Sequence, residues 1–242
     1  MLTLARWAAL LAILSVPFST LSSSPGLEGG TNVQAGTTAE EVIARYFQAI
    51  GGIDAVKDID SKRITYWVHM FGRDAYLMER SWSRPNSMQT GPPGATTYTV
   101  TEGERSWRVG PEERRELPAS VAGSLSKQAD IDGPFVDPIE KGITLSYSGV
   151  VHYDMTDLHQ VSVLFGDGVQ WEFFFDSGTG LLRRMTKPSF RMLNDEITRG
   201  PDAHYYYYDY RAVGSVLYPH LWIQATDDHT HLFVIEDIQL GG

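Results

Sequence analysis

The residues best suited to metal chemistry are Asp227-Asp228-His229-Thr230-His231. In an extended strand His229 and His231 share one face and would present two imidazoles beside a carboxylate, the donor set of a metal-assisted or acid/base enzyme. The same five residues suit the polar tip of a hairpin equally well. His152 and His159, flanking Asp154 and Asp157, read in the same two ways. Signatures of nucleophilic and zinc hydrolysis are missing: the sequence holds neither a Gly-x-Ser-x-Gly elbow nor a His-Glu-x-x-His pair. With no cysteine there is no thiol nucleophile, no Cys-ligated zinc and no disulfide framework. Gly166-Asp167-Gly168 sits between two candidate strands, with no helix behind it to supply an anion-binding end. The expectation is a protein without catalytic, metal or cofactor sites.

A second set offers apolar chemistry. Trp67, Met70, Tyr76, Met78, Trp82, Trp171, Phe173 and Phe175 are large, and the methionines are adaptable enough to meet an irregular ligand. They form either an ordinary packed core or the lining of an apolar cavity. Tyr205 to Tyr208 with Tyr210 put phenols on both faces of one strand, so neither face is simply solvated. The formal net charge of −10 argues against a nucleic-acid partner, whose phosphates the chain would repel.

These side chains need a scaffold, and the chain supplies one in a definite order. Residues 1–22 combine Arg6 with an apolar run over residues 7–16, the pattern of a secretory signal peptide, and residues 23–36 read as a disordered spacer. A single domain is expected over residues 37–242. Thr38-Ala39-Glu40-Glu41 is a capping box. Val42, Ile43, Tyr46, Phe47 and Ile50 mark one apolar helix face, and Gly51-Gly52 stops the helix. A short helical turn is expected at residues 54–58.

Beyond Lys62 the period changes to two. Candidate strands occupy residues 63–109 and 143–240, separated by turn clusters such as Gly72-Arg73, Arg84-Pro85-Asn86 and Asp176-Ser177-Gly178-Thr179-Gly180. Residues 191–198 read as one of these strands. Residues 111–130 break the rhythm as one or two helical segments, with Glu112-Glu113-Arg114-Arg115-Glu116 as a solvated helix face. A long antiparallel meander with apolar residues on both faces must close on itself, take a helical lid or bind an apolar ligand.

In this order the chain resembles the LolA-like and LolB-like family of exported outer membrane lipoprotein-sorting proteins. The resemblance is carried by the opening Ala39-Glu40-Glu41-Val42-Ile43-Ala44-Arg45-Tyr46 through Ala49-Ile50-Gly51-Gly52, and by Lys141-Gly142-Ile143-Thr144-Leu145 leading to Gly149. It continues through residues 176–182 and Tyr208-Asp209-Tyr210-Arg211-Ala212-Val213-Gly214-Ser215-Val216-Leu217-Tyr218-Pro219. It implies a mainly β (α+β) fold, an unclosed antiparallel half-barrel of about 11 strands with helices covering its concave face. It also implies a periplasmic, monomeric carrier for lipoprotein acyl chains or another lipid, served by inner- and outer-membrane delivery partners. LolB-type acceptors are anchored through an N-terminal cysteine, which this chain lacks, so the soluble LolA-like mode fits better. An envelope sensor on the same fold is the alternative that shares its architecture.

Overall fold

The computed structural model describes residues 36–193 and 196–242. The expected signal peptide, and the expected spacer apart from Gly36, lie outside the described residues. Helix α1 (Ala39–Ile50) opens on the capping box: the Glu41 amide donates to the Thr38 hydroxyl oxygen at 3.2 Å, and the Thr38 amide donates to the Glu41 carboxylate at 3.1 Å. Gly51 ends it at a φ of 119°, a left-handed conformation that favours glycine. Helix α2 (Ile53–Lys57) is the expected short turn.

The strands follow the sequence's period of two. They are β1 (Ser61–Met70), β2 (Tyr76–Ser83), β3 (Ser87–Gly91), β4 (Tyr98–Glu102), β5 (Arg105–Val109) and β6 (Arg114–Glu116). After helix α3 (Ala119–Ala129) come β7 (Thr144–Tyr153), β8 (Thr156–Leu164), β9 (Gln170–Asp176) and β10 (Leu182–Lys187). The chain then forms β11 (Phe190–Leu193), β12 (Glu196–Arg199), β13 (Ala203–Val213), β14 (Val216–Ala225) and β15 (Thr230–Gly241).

Thirteen strands form one antiparallel sheet in the order β6-β5-β4-β3-β2-β1-β15-β14-β13-β10-β9-β8-β7. It is two meanders joined where β1 meets β15, with Ser61 opposite Gly241 and Met70 opposite His231. The ends, β6 and β7, do not pair with each other, so the sheet is an open half-barrel, as the sequence implied, with two strands more than the expected eleven or so.

Two local expectations are corrected. Residues 191–198 are not one strand of the sheet, because β11 and β12 pair with each other as a separate hairpin. Asn194-Asp195, residue types that favour turns, stand between them in the sequence. The charge run at residues 112–116 is not a helix face either. Arg114, Arg115 and Glu116 form β6, all exposed, and α3 begins only after Pro118, which cannot donate to a preceding turn. Charges on this terminal strand discourage a further strand from adding to it.

Candidate functional site

Strand register carries one face across the whole sheet. On β1 it presents Lys62, Ile64, Tyr66, Val68 and Met70, and opposite them on β2 stand Trp82, Arg80, Met78 and Tyr76. In the other direction Val68 faces Phe233, Phe233 faces Trp222, and Trp222 faces Tyr207. Tyr205 then faces Met185, Met185 faces Phe173, and Phe173 faces Val161. The result is one apolar band broken by Lys62, Arg80 and Lys187.

The band is curved. Eight strand spacings separate β3 from β8 along the sheet, about 38 Å were it flat at ~4.8 Å per spacing. Helix α3, about 16 Å long at ~1.5 Å per residue, packs on β3, β4 and β5 and still reaches, through Lys127, Asp167 in the turn after β8. So short an element spans the two only if this face is concave.

The two halves of the concave face are covered differently. In the second half Val42, Ile43, Phe47 and Ile50 of α1 pack with Val161, Val163, Trp171, Phe173, Phe175 and Met185, a core completed by Phe135 and Val136 from the segment after α3. Phe135 meets Phe173 edge-on with ring centres 4.7 Å apart. Helix α1 is fixed at both ends. Arg45 Nη2 donates to the Ser177 carbonyl at 2.7 Å, and Gly51 lies against the Ser215 carbonyl.

In the first half Ile64, Tyr66, Val68 and Ile235 are buried, but Met70, Met78, Trp82, Trp222, Phe233 and Ile238 around them are only partly so. This second cluster is built of strand side chains alone. Trp222 and Phe233 stack with centres 5.0 Å apart, and Tyr66 leans on both.

Helix α3 packs on β3, β4 and β5 and reaches over towards the other half. The Trp82 indole donates to the Gln128 carbonyl at 2.8 Å, and Lys127 Nζ pairs with Asp167 at 2.5 Å in the turn between β8 and β9. A cavity of about 200 Å³ lies beneath it, lined by Ala119, Gly123, Lys127, Val169, Trp171 and Pro188 among others. Arg84 secures the far side, forking onto Asp132 at 2.6 and 2.8 Å and donating to the Ile59 and Lys57 carbonyls.

The three cations rest on rings. Lys62 Nζ is 4.4 Å from the Trp82 ring centre, and Lys187 Nζ is 5.0 Å from Trp171 and 5.1 Å from Tyr205. Burial, then Arg80, lowers the Lys187 ammonium to about 7 and the Lys62 ammonium to about 8. Burial also pushes the Tyr205 phenol up to about 12 and the Tyr207 phenol higher still.

The sequence-selected apolar residues are distributed as follows. Trp171, Phe173 and Phe175 are buried under α1, and Met70, Met78 and Trp82 line the partly covered half. Tyr76 is 44% exposed at the strand end, its hydroxyl 3.6 Å from the Met70 sulfur. Trp67 lies on the opposite face, 38% exposed, its indole donating to Glu236, because its odd register sets it apart from Lys62, Ile64 and Tyr66.

His229 and His231 do share a face, their rings stacked 6.3 Å apart, and burial, then His229, lowers the pKa of His231. His152 is bound to Asp157 at 2.9 Å, and His159 to the Tyr147 hydroxyl at 3.0 Å. Among the described residues no group of three or more His, Asp or Glu is placed to hold a metal ion.

Tyr66, Trp222, Phe233, Lys62, Arg80 and Lys187 were not among the residues singled out by sequence. Strict alternation over residues 62–70 does carry a signal for Lys62, which falls in the same register as Ile64, Tyr66 and Val68.

No protein-family model and no curated protein matches this sequence. Solved structures do match its fold. A LolA superfamily protein from Nitrosomonas europaea superposes with a TM-score of 0.57 at 10% identity, over 85% of this chain and 94% of that one. A domain assigned to outer membrane lipoprotein sorting, from Vibrio parahaemolyticus, gives 0.54 at 7% identity over 83% and 91%. A DUF1329 family protein from Desulfovibrio piger gives 0.55 at 9% identity over 84% and 91%. The fold is therefore LolA-like.

Proposed function

We propose that this protein is an exported, soluble, periplasmic carrier that takes up acyl chains of lipoproteins or a related lipid on its concave face and performs no covalent chemistry. One observation carries the reading: the concave band is continuous, yet helix α1 packs on β7, β8 and β14 near Leu217, and no helix side chain joins the cluster formed by β1, β2, β14 and β15. In the first half Met70, Met78, Trp222 and Phe233 form a partly covered apolar surface built from strands alone. Adaptable thioethers and aromatic rings suit an alkyl chain without demanding one shape. The fold shared with a lipoprotein-sorting domain supports the same reading. Burying ten methylenes there would gain roughly 8 kcal/mol gross at ~0.8 each, before the costs of association.

Release of so firmly held a chain needs a cover that moves. Helix α3 suits that role: among the described residues its link to the second meander includes a single ion pair, Lys127 to Asp167, and only Ala122 and Ala129 of its residues are buried. In the cell, delivery partners at the inner and outer membranes would supply the trigger. Native mass spectrometry of protein purified from membrane-containing lysate tests the reading. Lipid-sized adducts are expected. Protein that emerges free of adducts and takes up no fluorescent fatty acid rules the carrier out.

A further inference from the structure

Among the described residues the concave-face cations form no ion pair, and of the three only Lys62 lies within the influence of carboxylates, those of Asp130 and Asp132. Lys187 is 94% buried, and among the described residues neither it nor Lys62 nor Arg80 has a hydrogen bond or ion pair. The Arg80 Nε atom is sealed from solvent without an acceptor. The carboxylates nearest this region are engaged elsewhere: Asp132 by Arg84, Asp130 by Lys141 at 2.6 Å, and Asp167 by Lys127. Trp82, which carries Lys62 and Arg80, bonds Gln128 at the end of α3, and Trp171, which carries Lys187, lines the cavity under the same helix, so the cations share one covered region. Cations there that rest on rings, with Lys187 and Arg80 unpaired among the described residues, are a costly arrangement for a protein that only packs its core. It is the arrangement expected of a site completed by an anion from outside.

Space for such a group lies next to Lys187. Trp171 carries the Lys187 ammonium and also lines the cavity under α3, and Pro188, the next residue in the chain, lines it too. Its volume of about 200 Å³ equals roughly six or seven waters at ~30 Å³ each. That is room for a head group and the first part of a chain, with the apolar surface of β1, β2, β14 and β15 left for the remainder.

We infer that the ligand is an anionic amphiphile, an alkyl chain ending in a carboxylate or a phosphate, whose charged end is held inside the concave face by Lys187 and Arg80, with Lys62 beside them. This deepens the carrier reading and rests on it. The anion supplies the acceptors that the Arg80 guanidinium and the Lys187 ammonium lack. The chain's other end then points towards the partly covered cluster.

The test is a fluorescence titration with cis-parinaric acid and with its methyl ester, which has the same chain without the charge. Wild-type protein should bind the acid at least tenfold more tightly than the ester. Lys187→Met and Arg80→Met, which retain apolar bulk, should each weaken acid binding about tenfold and leave ester binding unchanged. Unchanged ester binding shows in the same experiment that each variant is folded. Displacement of the acid by palmitate or by hexadecyl phosphate identifies the preferred head group. Equal binding of acid and ester by wild type, or an acid preference that survives both substitutions, overturns the anionic site and leaves the carrier reading intact. Binding of neither overturns both.

Discussion

A Cβ atom built on Gly51 would lie 2.2 Å from the carbonyl oxygen of Ser215. That contact joins the end of helix α1 to the turn between β13 and β14, so the helix is seated on the sheet by a position where no side chain fits. Gly51→Ala combines this overlap with the strain of a left-handed backbone at φ 119°. The expected cost is about 2–4 kcal/mol, read as a lower denaturation midpoint with an unchanged dependence on denaturant. A loss below ~0.5 kcal/mol would show that α1 is not pinned there.

The two halves of the concave band should respond differently to truncation. Phe173→Ala opens a hole under α1 beside Phe135 and Trp171 and should cost about 3–5 kcal/mol of stability. Met78→Ala, in the partly covered half, should cost about 1–2 kcal/mol but weaken fatty-acid binding several-fold. Paired denaturation and binding curves check this. Met78→Ala with full binding would place the chain elsewhere.

Removal of the link between α3 and the second meander should act on rates more than on stability. The Lys127 side chain is 13% exposed and that of Asp167 is 50% exposed, so the pair is screened on one side. Lys127→Ala should cost about 1 kcal/mol of stability, and it should accelerate release of a bound fluorescent fatty acid several-fold in stopped-flow displacement. An unchanged release rate would mean that α3 is not the cover.

Stability should rise with pH from about 6 to about 9. With Lys187 held at about 7 and Lys62 at about 8, the unfolded chain binds more protons than the folded one from those values up to the ordinary 10.5. The penalty is complete below pH 7, where both states are protonated; it shrinks as the pH rises past the folded values, once the folded chain has given up its protons, and is gone when the unfolded chain loses its own near 10.5. His159, His204 and His231, all lowered first by burial, add to stability in the same direction below pH 6.5. Above about pH 10 the sign reverses, because Tyr46 and Tyr205, raised by burial to about 12, keep protons that the unfolded chain gives up. Thermal midpoints across this range check the profile. Lys187→Met should flatten the rise and add about 1–4 kcal/mol at pH 6. A variant less stable than wild type at pH 6 would show that the ammonium has a counter-charge.

Helix α1 was legible because its signals are local: a capping box, a 3.6-residue apolar spacing and a Gly-Gly stop lie within fifteen residues of one another. The rings of Trp171, Phe173 and Phe175 were legible as one face for the same reason, since alternation needs only the strand itself. Residues 112–116 misled because a short mixed-charge run fits a solvated helix and an edge strand equally well, and pairing with β5 decided the matter.

Trp67 and Met70 could not share a face of an unbroken strand, so the apolar set read from sequence was already divided in its own spacing. The cation cluster was illegible for a different reason. Arg80 and Lys187 stand more than a hundred residues apart and come under one helix only through curvature of the sheet, which no local pattern records.

The most direct test of the central claim is photolabelling with a fatty acid that carries a diazirine along its chain, followed by peptide mapping. Labels should concentrate on Met70, Met78, Trp222 and Phe233, and excess unlabelled fatty acid should suppress them. Labelling spread over exposed outer positions such as Trp67, or unaffected by competitor, would contradict an acyl chain held on the concave face.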